Sequence, residues 1–350
     1  MHRLKELDVL RGFAALNVML YHYTSRYFEI FQIQNQPNFE WYFGHHGVEL
    51  FFMISGFVIF MSLQNVTNIK EFILKRAIRL YPAYWICILI TLFISVIYNI
   101  PRSDDFSSFQ ILMNFTMIQG IFEIPNIDGV YWSLLPELFF YILMGTLYYL
   151  NFLKNIKIIA IIWLSWMILN KSGLFPFGEY FLNLKYGMFF LAGIFFYNLK
   201  FNKGSFVDHL IVLSCLFTAI YVNGETYNLI IYPIWFATFY LFIGGKLSYF
   251  NWAPLLFLGS ISYPLYLLHQ NIGYALITYL YSYLPNYFIV ISSTSLMMFL
   301  LAWLVIKYLE NPLSLFLKHK FLSNLNLSKK SKISTDLDHF SHKNVLEKSR

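Results

Sequence analysis

Residues 47–64 read GVELFFMISGFVIFMSLQ, and this stretch decides the class of fold. It contains one charged residue, Glu49, near its beginning, and the remainder is almost entirely apolar. A helix needs about 20 predominantly apolar residues to cross the hydrocarbon core of a bilayer. The stretch therefore predicts a membrane-spanning helix.

Comparable apolar runs recur along the chain. The predicted spans are 8–28, 47–64, 80–99, 131–150, 156–170, 180–199, 206–223, 227–244, 255–283 and 287–309. Only 12% of the 350 residues are charged and 58% are hydrophobic, whereas a soluble domain carries about twice that charge. The sequence predicts an all-α integral membrane protein with about ten transmembrane helices in one membrane domain, 1–322, and a polar, disordered tail, 323–350.

The basic residues of the loops predict the orientation. Placing the N-terminus inside assigns these residues to the cytoplasmic side: Arg3, Lys5, Lys70, Lys75, Arg76, Arg79, Lys154, Lys157, Lys200, Lys203 and Lys246. Only Arg26, Arg102 and Lys171 then lie outside. An even number of spans returns the C-terminus to the cytoplasm. We expect a multi-pass protein of the cytoplasmic (inner) membrane, surrounded by lipid. The formal charge of +7 is too dispersed to predict nucleic-acid binding.

The first span carries charged and polar groups that the membrane would otherwise disfavour. Arg11 and His22 are eleven residues apart, so they share one helical face about 16 Å apart along the axis. Asp8, three residues before Arg11, is placed to pair with it. Structural alternatives stay open, because Arg11 can be a snorkelling anchor and His22 can hydrogen-bond to a neighbouring helix.

The fourth span carries Glu137 about six residues from its outer end. The depth estimated for this carboxylate matches that of His22, which suggests a Glu–His pair for proton transfer. A purely structural hydrogen bond between helices is the alternative. The sequence does not show whether the two helices touch.

Further polar groups mark three other segments. Glu49 begins the second span, and the preceding His45 and His46 are interpreted as exposed loop residues rather than metal ligands. Arg76 and Arg79 share one helical face at the cytoplasmic boundary, where they can bind phosphate or simply anchor the helix.

Two further positions in the later spans are not explained by these patterns. His269 lies in the ninth span, at the middle or in the inner half depending on where that helix begins. Lys185 is interpreted as a buried charge in the outer half of the sixth span, without an assigned role. Cys87 and Cys215 have no metal or redox spacing, and no metal site is predicted.

Taken together, these segments resemble the family-3 membrane acyltransferases, which include bacterial O-antigen and exopolysaccharide O-acetylases. The resemblance follows six motifs in order along nearly the whole chain: Leu7–Ala15 with His22, Gly47–Phe57, Arg76 and Arg79 before Tyr81–Tyr84, Trp132–Leu134 with Glu137, Ile261–His269, and Glu310–Pro312. Two positions depart from the family pattern. Glu49 stands where members often have Asp, and Leu138 stands where they often have a second Glu.

The resemblance implies transfer of an acyl group, by default acetyl, from cytoplasmic acyl-CoA to a hydroxyl of a cell-surface polysaccharide or its precursor. No bound cofactor is implied, because acetyl-CoA is the donor substrate. The implied catalytic residues are His22, Glu137 and Arg11, with Arg76 and Arg79 binding acyl-CoA phosphates. His22 can act as general base or carry the acyl group. Asp8, Glu49 and His269 are supporting residues.

Two alternatives stay open at this level. A polytopic transporter or flippase for a lipid-linked glycan would also have buried His, Glu and Lys, although no duplicated halves are visible. A non-catalytic assembly subunit would keep the fold without the chemistry. The acceptor, the acyl group and the oligomeric state are not specified by the sequence.

Overall fold

The computed structural model describes residues 4–33, 39–98, 106–175, 178, 182–247 and 252–322. The predicted tail, 323–350, and the loop residues Arg3 and Arg102 lie outside these ranges. Within them the chain is helical and contains no strand. This is the expected outcome for a lipid-embedded chain, because a helix satisfies its backbone hydrogen bonds internally.

Each predicted span overlaps at least one helix in the described residues, although several boundaries differ. The α-helices are α1 (Lys5–Tyr21), α2 (Tyr27–Phe31), α3 (Gly47–Leu63), α4 (Ile69–Tyr98), α5 (Ser108–Asn114), α6 (Leu134–Tyr149), α7 (Ile156–Lys171), α8 (Gly187–Phe201), α9 (Phe206–Asn223), α10 (Asn228–Ile243), α11 (Ala253–Leu268), α12 (Asn271–Tyr281) and α13 (Tyr287–Val305). Short 3-10 helices occupy Tyr42–His46, Gln119–Phe122, Gly129–Ser133 and Phe152–Asn155, and π-helical turns occupy His22–Arg26 and Ile306–Glu310.

Six helices within the described ranges are long and apolar enough to cross a membrane. They are Tyr42–Leu63, Ile69–Tyr98, Gly129–Tyr149, Phe152–Lys171, Phe206–Asn223 and Tyr287–Leu322, and shorter apolar helices cover Gly187–Phe201, Asn228–Ile243 and Ala253–Leu268. The chain is a helical membrane protein, and the expected total of ten spans stays a prediction.

Glycine contacts bring two pairs of helices close together. A Cβ on Gly259 of α11 would collide with the backbone of Asp8 in α1, and a Cβ on Gly193 of α8 would collide with the backbone of Met53 in α3. Small residues at such crossings let helix backbones approach closely in a membrane. The α3–α8 pair forms the centre of the bundle, since every residue of α8 from Gly187 to Asn198 is buried.

Helices α1 and α11 run parallel. Asp8 contacts Gly259 at one end of the pair, and His22 contacts His269 towards the other, so residue numbers rise together along both helices. The predicted orientation has the first and ninth spans crossing the membrane in the same direction. The parallel packing of α1 and α11 agrees with this. The pair therefore brings Arg11 of α1, and His22 directly after α1, against α11 and its C-terminal end.

The predicted ninth span is two helices. Helix α11 ends at Leu268 and α12 begins at Asn271, so His269 and Gln270 form the break between them. Helix α4 also differs from its predicted span, because it begins at Ile69 rather than at residue 80 and carries Arg76 and Arg79 within its first three turns.

Candidate active site

A narrow cavity of about 120 Å³ lies between α1, α3, α4, α6 and α11. It brings together Arg11 from α1 with Arg76 and Arg79 from α4. The sequence predicted phosphate binding for Arg76 and Arg79, and the fold places Arg11 around the same cavity. Such a volume is well below the roughly 300–1,000 Å³ of drug-sized ligand sites, so the cavity accepts only one end of a large molecule.

Two of the three arginines have carboxylate partners. Arg11 Nη1 lies 3.3 Å from Asp8 Oδ1, which is the pairing predicted from their spacing. Arg79 Nη1 lies 3.1 Å from Glu310 Oε1, at the opposite end of the chain. These pairs hold the two guanidinium groups in place and offset their charges.

Arg76 forms no ion pair within the described part of the chain. Its Nη2 donates a hydrogen bond to Ser62 Oγ at 3.3 Å, and its Nε is buried without a hydrogen-bond partner. A buried charged donor without an acceptor is costly in free energy. Arg76 is thus the arginine best placed to bind an anion entering the cavity.

Glu137 is the carboxylate that lines this cavity. Its Oε1 accepts hydrogen bonds from Ser55 Oγ at 2.9 Å and from the Tyr141 hydroxyl. Among the described residues it shares no hydrogen bond with His22, so the predicted Glu–His pair is not formed here. Glu137 instead fixes Ser55 and Tyr141 and reduces the positive charge of the cavity.

The ring that contacts His22 belongs to His269. Nδ1 of His22 lies 3.2 Å from Nε2 of His269 and 2.8 Å from the backbone oxygen of Val18. The two ring centroids are 4.8 Å apart with an interplanar angle of 76°. His269 is fully enclosed, whereas His22 is partly exposed, so the ring of His22 is the one that a substrate can reach.

The surrounding acceptors determine the tautomers of both neutral rings. His269 Nδ1 faces the backbone oxygens of Tyr266 at 2.9 Å and Leu265 at 3.2 Å, and a carbonyl only accepts, so Nδ1 carries the hydrogen. Nε2 of His269 is then an acceptor. It receives the Nδ1 hydrogen of His22, which is shared with the carbonyl of Val18. His22 is left with an unprotonated Nε2 that has no hydrogen-bond partner among the described residues.

Local backbone features hold this pair in place. His22 begins the π-helical turn after α1, and such turns are frequent at functional sites. The next residue, Tyr23, is fully buried and donates its hydroxyl hydrogen to the backbone oxygen of His269 at 2.9 Å. The ring of Tyr23 lies against Gly273, where a Cβ would collide with it. The break between α11 and α12 is therefore fastened directly to the end of α1.

A buried carboxyl fastens the same break to the loop before α6. Asp128 Oδ1 accepts from the backbone N–H of Val130 at 3.2 Å, and its Oδ2 accepts from that of Asn271 at 3.1 Å. Burial raises the pKa of Asp128 to about 7, although both N–H groups favour the charged form.

Tyr266 connects the arginine cavity to the histidine pair. Its side chain lines the cavity, its hydroxyl lies 2.6 Å from Ser133 Oγ, and its ring centroid is 5.7 Å from that of His269. Tyr266 therefore lies between the cavity that the three arginines line and the histidine pair. The sequence pattern did not predict this role of Tyr266, although the residue lies within the Ile261–His269 motif.

Glu49 and His46 do not line the arginine cavity. Glu49 is buried, and its Oε1 is 3.3 Å from Nδ1 of His46. The interpretation of His46 as an exposed loop residue is wrong, because only 3% of its surface is exposed. The 3-10 helix Tyr42–His46 packs against α1, and this contact encloses it. The pair supports the start of α3.

Lys185 is not a buried charge. Helix α8 begins at Gly187, seven residues later than the predicted start of the sixth span, and Lys185 is exposed in the turn before it. Separately, the described residues contain no group of three or more His, Cys, Asp or Glu that could hold a metal ion.

Comparison with known proteins identifies a family model, described as an acyltransferase domain, that matches residues 4–308. The chain is 23% identical over 276 residues to a putative acetyltransferase, ORF330, of Acidianus two-tailed virus, which covers 74% of this chain and 80% of that protein. No solved structure matches the chain.

Two further relatives match shorter stretches. Nodulation protein 10 of Rhizobium leguminosarum bv. viciae is 27% identical over 164 residues, or 42% of this chain and 44% of that protein. The peptidoglycan O-acetyltransferase OatA of Listeria monocytogenes is 28% identical over 173 residues, or 44% of this chain and 26% of that protein.

Proposed function

Because this chain belongs to the acyltransferase-domain family, we propose that it transfers an acyl group, acetyl by default, from cytoplasmic acyl-CoA to a hydroxyl of a cell-surface polysaccharide or its precursor. The chain is an acyltransferase, and the donor and acceptor are the parts proposed. Two relatives are named as acetyltransferases, and one of them acts on peptidoglycan.

One observation carries the choice of donor: three arginines line a cavity whose wall residue Tyr266 also contacts His269, the partner of His22. Arg11 and His22 are about 16 Å apart along one helix. A donor held by its phosphates at the arginines must therefore reach His22 through a long arm. The pantetheine arm of CoA has this form, with phosphates at one end and the thioester at the other.

The small volume of the cavity agrees with this arrangement. About 120 Å³ cannot enclose the nucleotide of CoA, so the adenosine stays at the mouth while the narrow arm and the acyl thioester enter. Arg76, which has no carboxylate partner among the described residues, would bind phosphate oxygens in charge-assisted hydrogen bonds. Arg11 and Arg79 would contribute charge from their fixed positions.

The proposed reaction uses His22 as general base. Nε2 of His22 takes the proton of the acceptor hydroxyl as its oxygen attacks the thioester carbonyl, a new C–O bond forms and the C–S bond breaks. The proton then passes to the departing thiolate of CoA. His269 is a positioning residue, because it directs the Nδ1 hydrogen of His22 inwards and leaves Nε2 free.

A covalent route through the same atom is the other form of this proposal. Nε2 would then attack the thioester itself and hold the acyl group until the acceptor arrives. Rapid mixing of the purified protein with radiolabelled acetyl-CoA, without acceptor, tests this form. Label retained on the wild-type protein and absent from His22→Ala supports the covalent route.

The main experiment is mass spectrometry of surface glycans from a host without the gene and from the same host complemented with wild type, His22→Ala or His209→Ala. His209 is an exposed histidine on α9 that stacks on Tyr240, and it serves as the matched control. We expect one acyl mass to be lost on deletion and restored by wild type and His209→Ala. Restoration by His22→Ala would remove His22 from the mechanism, and unchanged glycans would contradict the proposed acceptor.

A further inference from the structure

A second cavity, of about 320 Å³, lies on the other side of the 3-10 helix Gly129–Ser133. Ser133 of this helix lines the arginine cavity, whereas Tyr131 and Trp132 line the second one. Its volume is near the lower limit of roughly 300–1,000 Å³ for small-molecule sites, which suits one monosaccharide rather than a longer oligosaccharide. None of the residues assigned to donor binding or to proton transfer lines it.

Two aromatic rings form one wall of this second cavity. Trp132 and Tyr186 have ring centroids 5.3 Å apart and an interplanar angle of 41°, and Trp132 is 39% exposed. The face of an aromatic ring is electron-rich, so it attracts the weakly positive C–H groups on one face of a sugar ring. A partly exposed tryptophan beside a tyrosine is thus a surface on which a pyranose can stack.

A buried polar group without a partner also lines this cavity. Gln119 is only 2% exposed, yet its Oε1 accepts no hydrogen bond from the described residues. The hydroxyl of Tyr131, also in the wall, is buried and lies near that of Thr91. Buried polar atoms are normally hydrogen-bonded, so the Gln119 oxygen points to a ligand with hydroxyl groups.

Lys185 provides the charge at this cavity. It lines the cavity, is exposed, and forms no ion pair within the described ranges; its Nζ lies 5.5 Å from the ring centroid of Tyr186. None of the described residues that line the cavity is Asp or Glu, so the charge that they supply favours an anion. A neutral sugar would leave this ammonium group without a counter-charge.

We propose that this cavity is a subsite for a sugar ring that carries an anionic substituent, such as a carboxylate or a phosphate. The ring stacks on Trp132 and Tyr186, one of its hydroxyls donates to Gln119 Oε1, and its anionic group meets Lys185. That this sugar belongs to the acyl acceptor rests on the proposed function; the binding itself does not.

The placement suits an acceptor that reaches the histidines. Ser133, one residue after Trp132, is hydrogen-bonded to Tyr266, the residue beside His269. Asp128, one residue before the same 3-10 helix, bonds to the break after His269. A sugar held on Trp132 is therefore separated from the reacting groups by one short helix, and its neighbour in the glycan can carry the acylated hydroxyl.

Binding is tested by saturation-transfer difference NMR on the purified, detergent-solubilised His22→Ala protein, without acyl-CoA. The probes are glucose, glucuronate and glucose 6-phosphate, and the last two distinguish a carboxylate from a phosphate. We expect saturable binding of one or both anionic sugars, with affinity about tenfold above that of glucose. Lys185→Gln should lower that affinity to the level of glucose, and Trp132→Ala should weaken all probes.

Matched controls are Lys171→Gln, an exposed lysine at the end of α7, and Trp252→Ala, a 63% exposed tryptophan before α11. The milder Trp132→Phe keeps an aromatic face, and it should retain most of the binding if the alanine variant loses stability. No saturable binding, or equal affinities in the Lys185→Gln and Lys171→Gln proteins, would overturn the subsite. Because no acyl transfer is measured, a failure of the proposed reaction would leave this result unaffected.

Discussion

Replacing His269 tests whether the histidine pair works as the hydrogen bonds indicate. His269→Phe keeps a ring of similar size at this enclosed position but removes the acceptor for the Nδ1 hydrogen of His22. His269→Gln keeps an acceptor, because the side-chain oxygen of Gln reaches the place of Nε2. The two variants therefore separate the hydrogen bond from the packing.

The size of the effect follows from the contacts that remain. One hydrogen bond contributes about 0.5–1.5 kcal/mol, which corresponds to about a 2- to 12-fold change in the fraction of His22 rings held correctly. The carbonyl of Val18 still accepts from Nδ1 at 2.8 Å, so the tautomer is not lost. The decrease should thus be much smaller than the roughly 10²- to 10⁴-fold effect of removing the base in His22→Gln.

The assay is steady-state acyl transfer from acetyl-CoA by purified protein. We expect His269→Phe to lower kcat about tenfold with an unchanged KM for acetyl-CoA, because the arginine cavity is intact, and His269→Gln to restore kcat to within about threefold of wild type. His209→Phe is the control. Equal losses in the Phe and Gln variants would refute the hydrogen-bond argument, and full activity in His269→Phe would show that His22 does not depend on its neighbour.

Three further predictions concern the residues that support the site. Glu137→Gln keeps the acceptor for Tyr141 and should retain at least about half the activity, whereas Glu137→Ala should lose about tenfold or more; equal loss in both would favour a proton-transfer role for the carboxylate. Asp128 has its pKa raised by burial to about 7, so the folded state holds a proton that the unfolded state releases near pH 4. Wild-type Tm, measured by fluorescence in detergent, should therefore fall from pH 5 to pH 7 and level off above it, and a slope unchanged in Asp128→Asn would contradict this assignment. Gly259→Ala places a Cβ against the backbone of α1 and should destabilise the protein by about 1–3 kcal/mol, seen as a lower Tm than Ser260→Ala, and equal Tm values would mean that the helices can separate without cost.

The apolar runs predicted the helical fold well because the membrane leaves so few alternatives. A chain in hydrocarbon must form its backbone hydrogen bonds internally, so an apolar run such as 47–64 forms a helix. Boundaries were less accurate where an amphipathic segment continues a span into the interface. Helix α4 begins at Ile69 because Glu71 and Lys75 pair on its surface and support a turn that hydropathy alone does not indicate.

Within the site, local spacing predicted pairs on one helix but not contacts between helices. The Asp8–Arg11 pair follows from a separation of three residues, and the structure contains it. The equal depth of Glu137 and His22 in the membrane suggested that they form a pair. Depth does not, however, define where a side chain lies around the axis of the bundle. His269 is the residue that contacts His22. This is because α11 packs parallel to α1 through Gly259 and ends at Leu268, level with His22.

The second cavity illustrates the same limit for loop residues. Trp132 was visible in the sequence only as a motif residue, and Lys185 only as a charge in an apolar run. Their proximity depends on a turn before α8 that hydropathy assigned to the membrane. Contacts between segments fifty residues apart are set by packing, which one sequence does not display.

The separation of the arginines from His22 leads to a prediction about donors of different length. If Arg76 binds the phosphates of the donor in the cavity that Arg11 also lines, away from the carbonyl that reacts at His22, its removal should matter only for donors that have phosphates. Arg76→Gln should raise the KM for acetyl-CoA about tenfold with little change in kcat, since a charge-assisted hydrogen bond is lost. With S-acetyl-N-acetylcysteamine, which keeps the thioester but has no phosphate, wild type and Arg76→Gln should react at the same low rate. Lys75→Gln, the neighbouring cation paired with Glu71 and outside the cavity lining, should leave both donors unaffected. An equal loss with the two donors would place Arg76 at the reacting carbonyl, and the arginines and His22 would then have to act at one point rather than at the two ends of a bound arm.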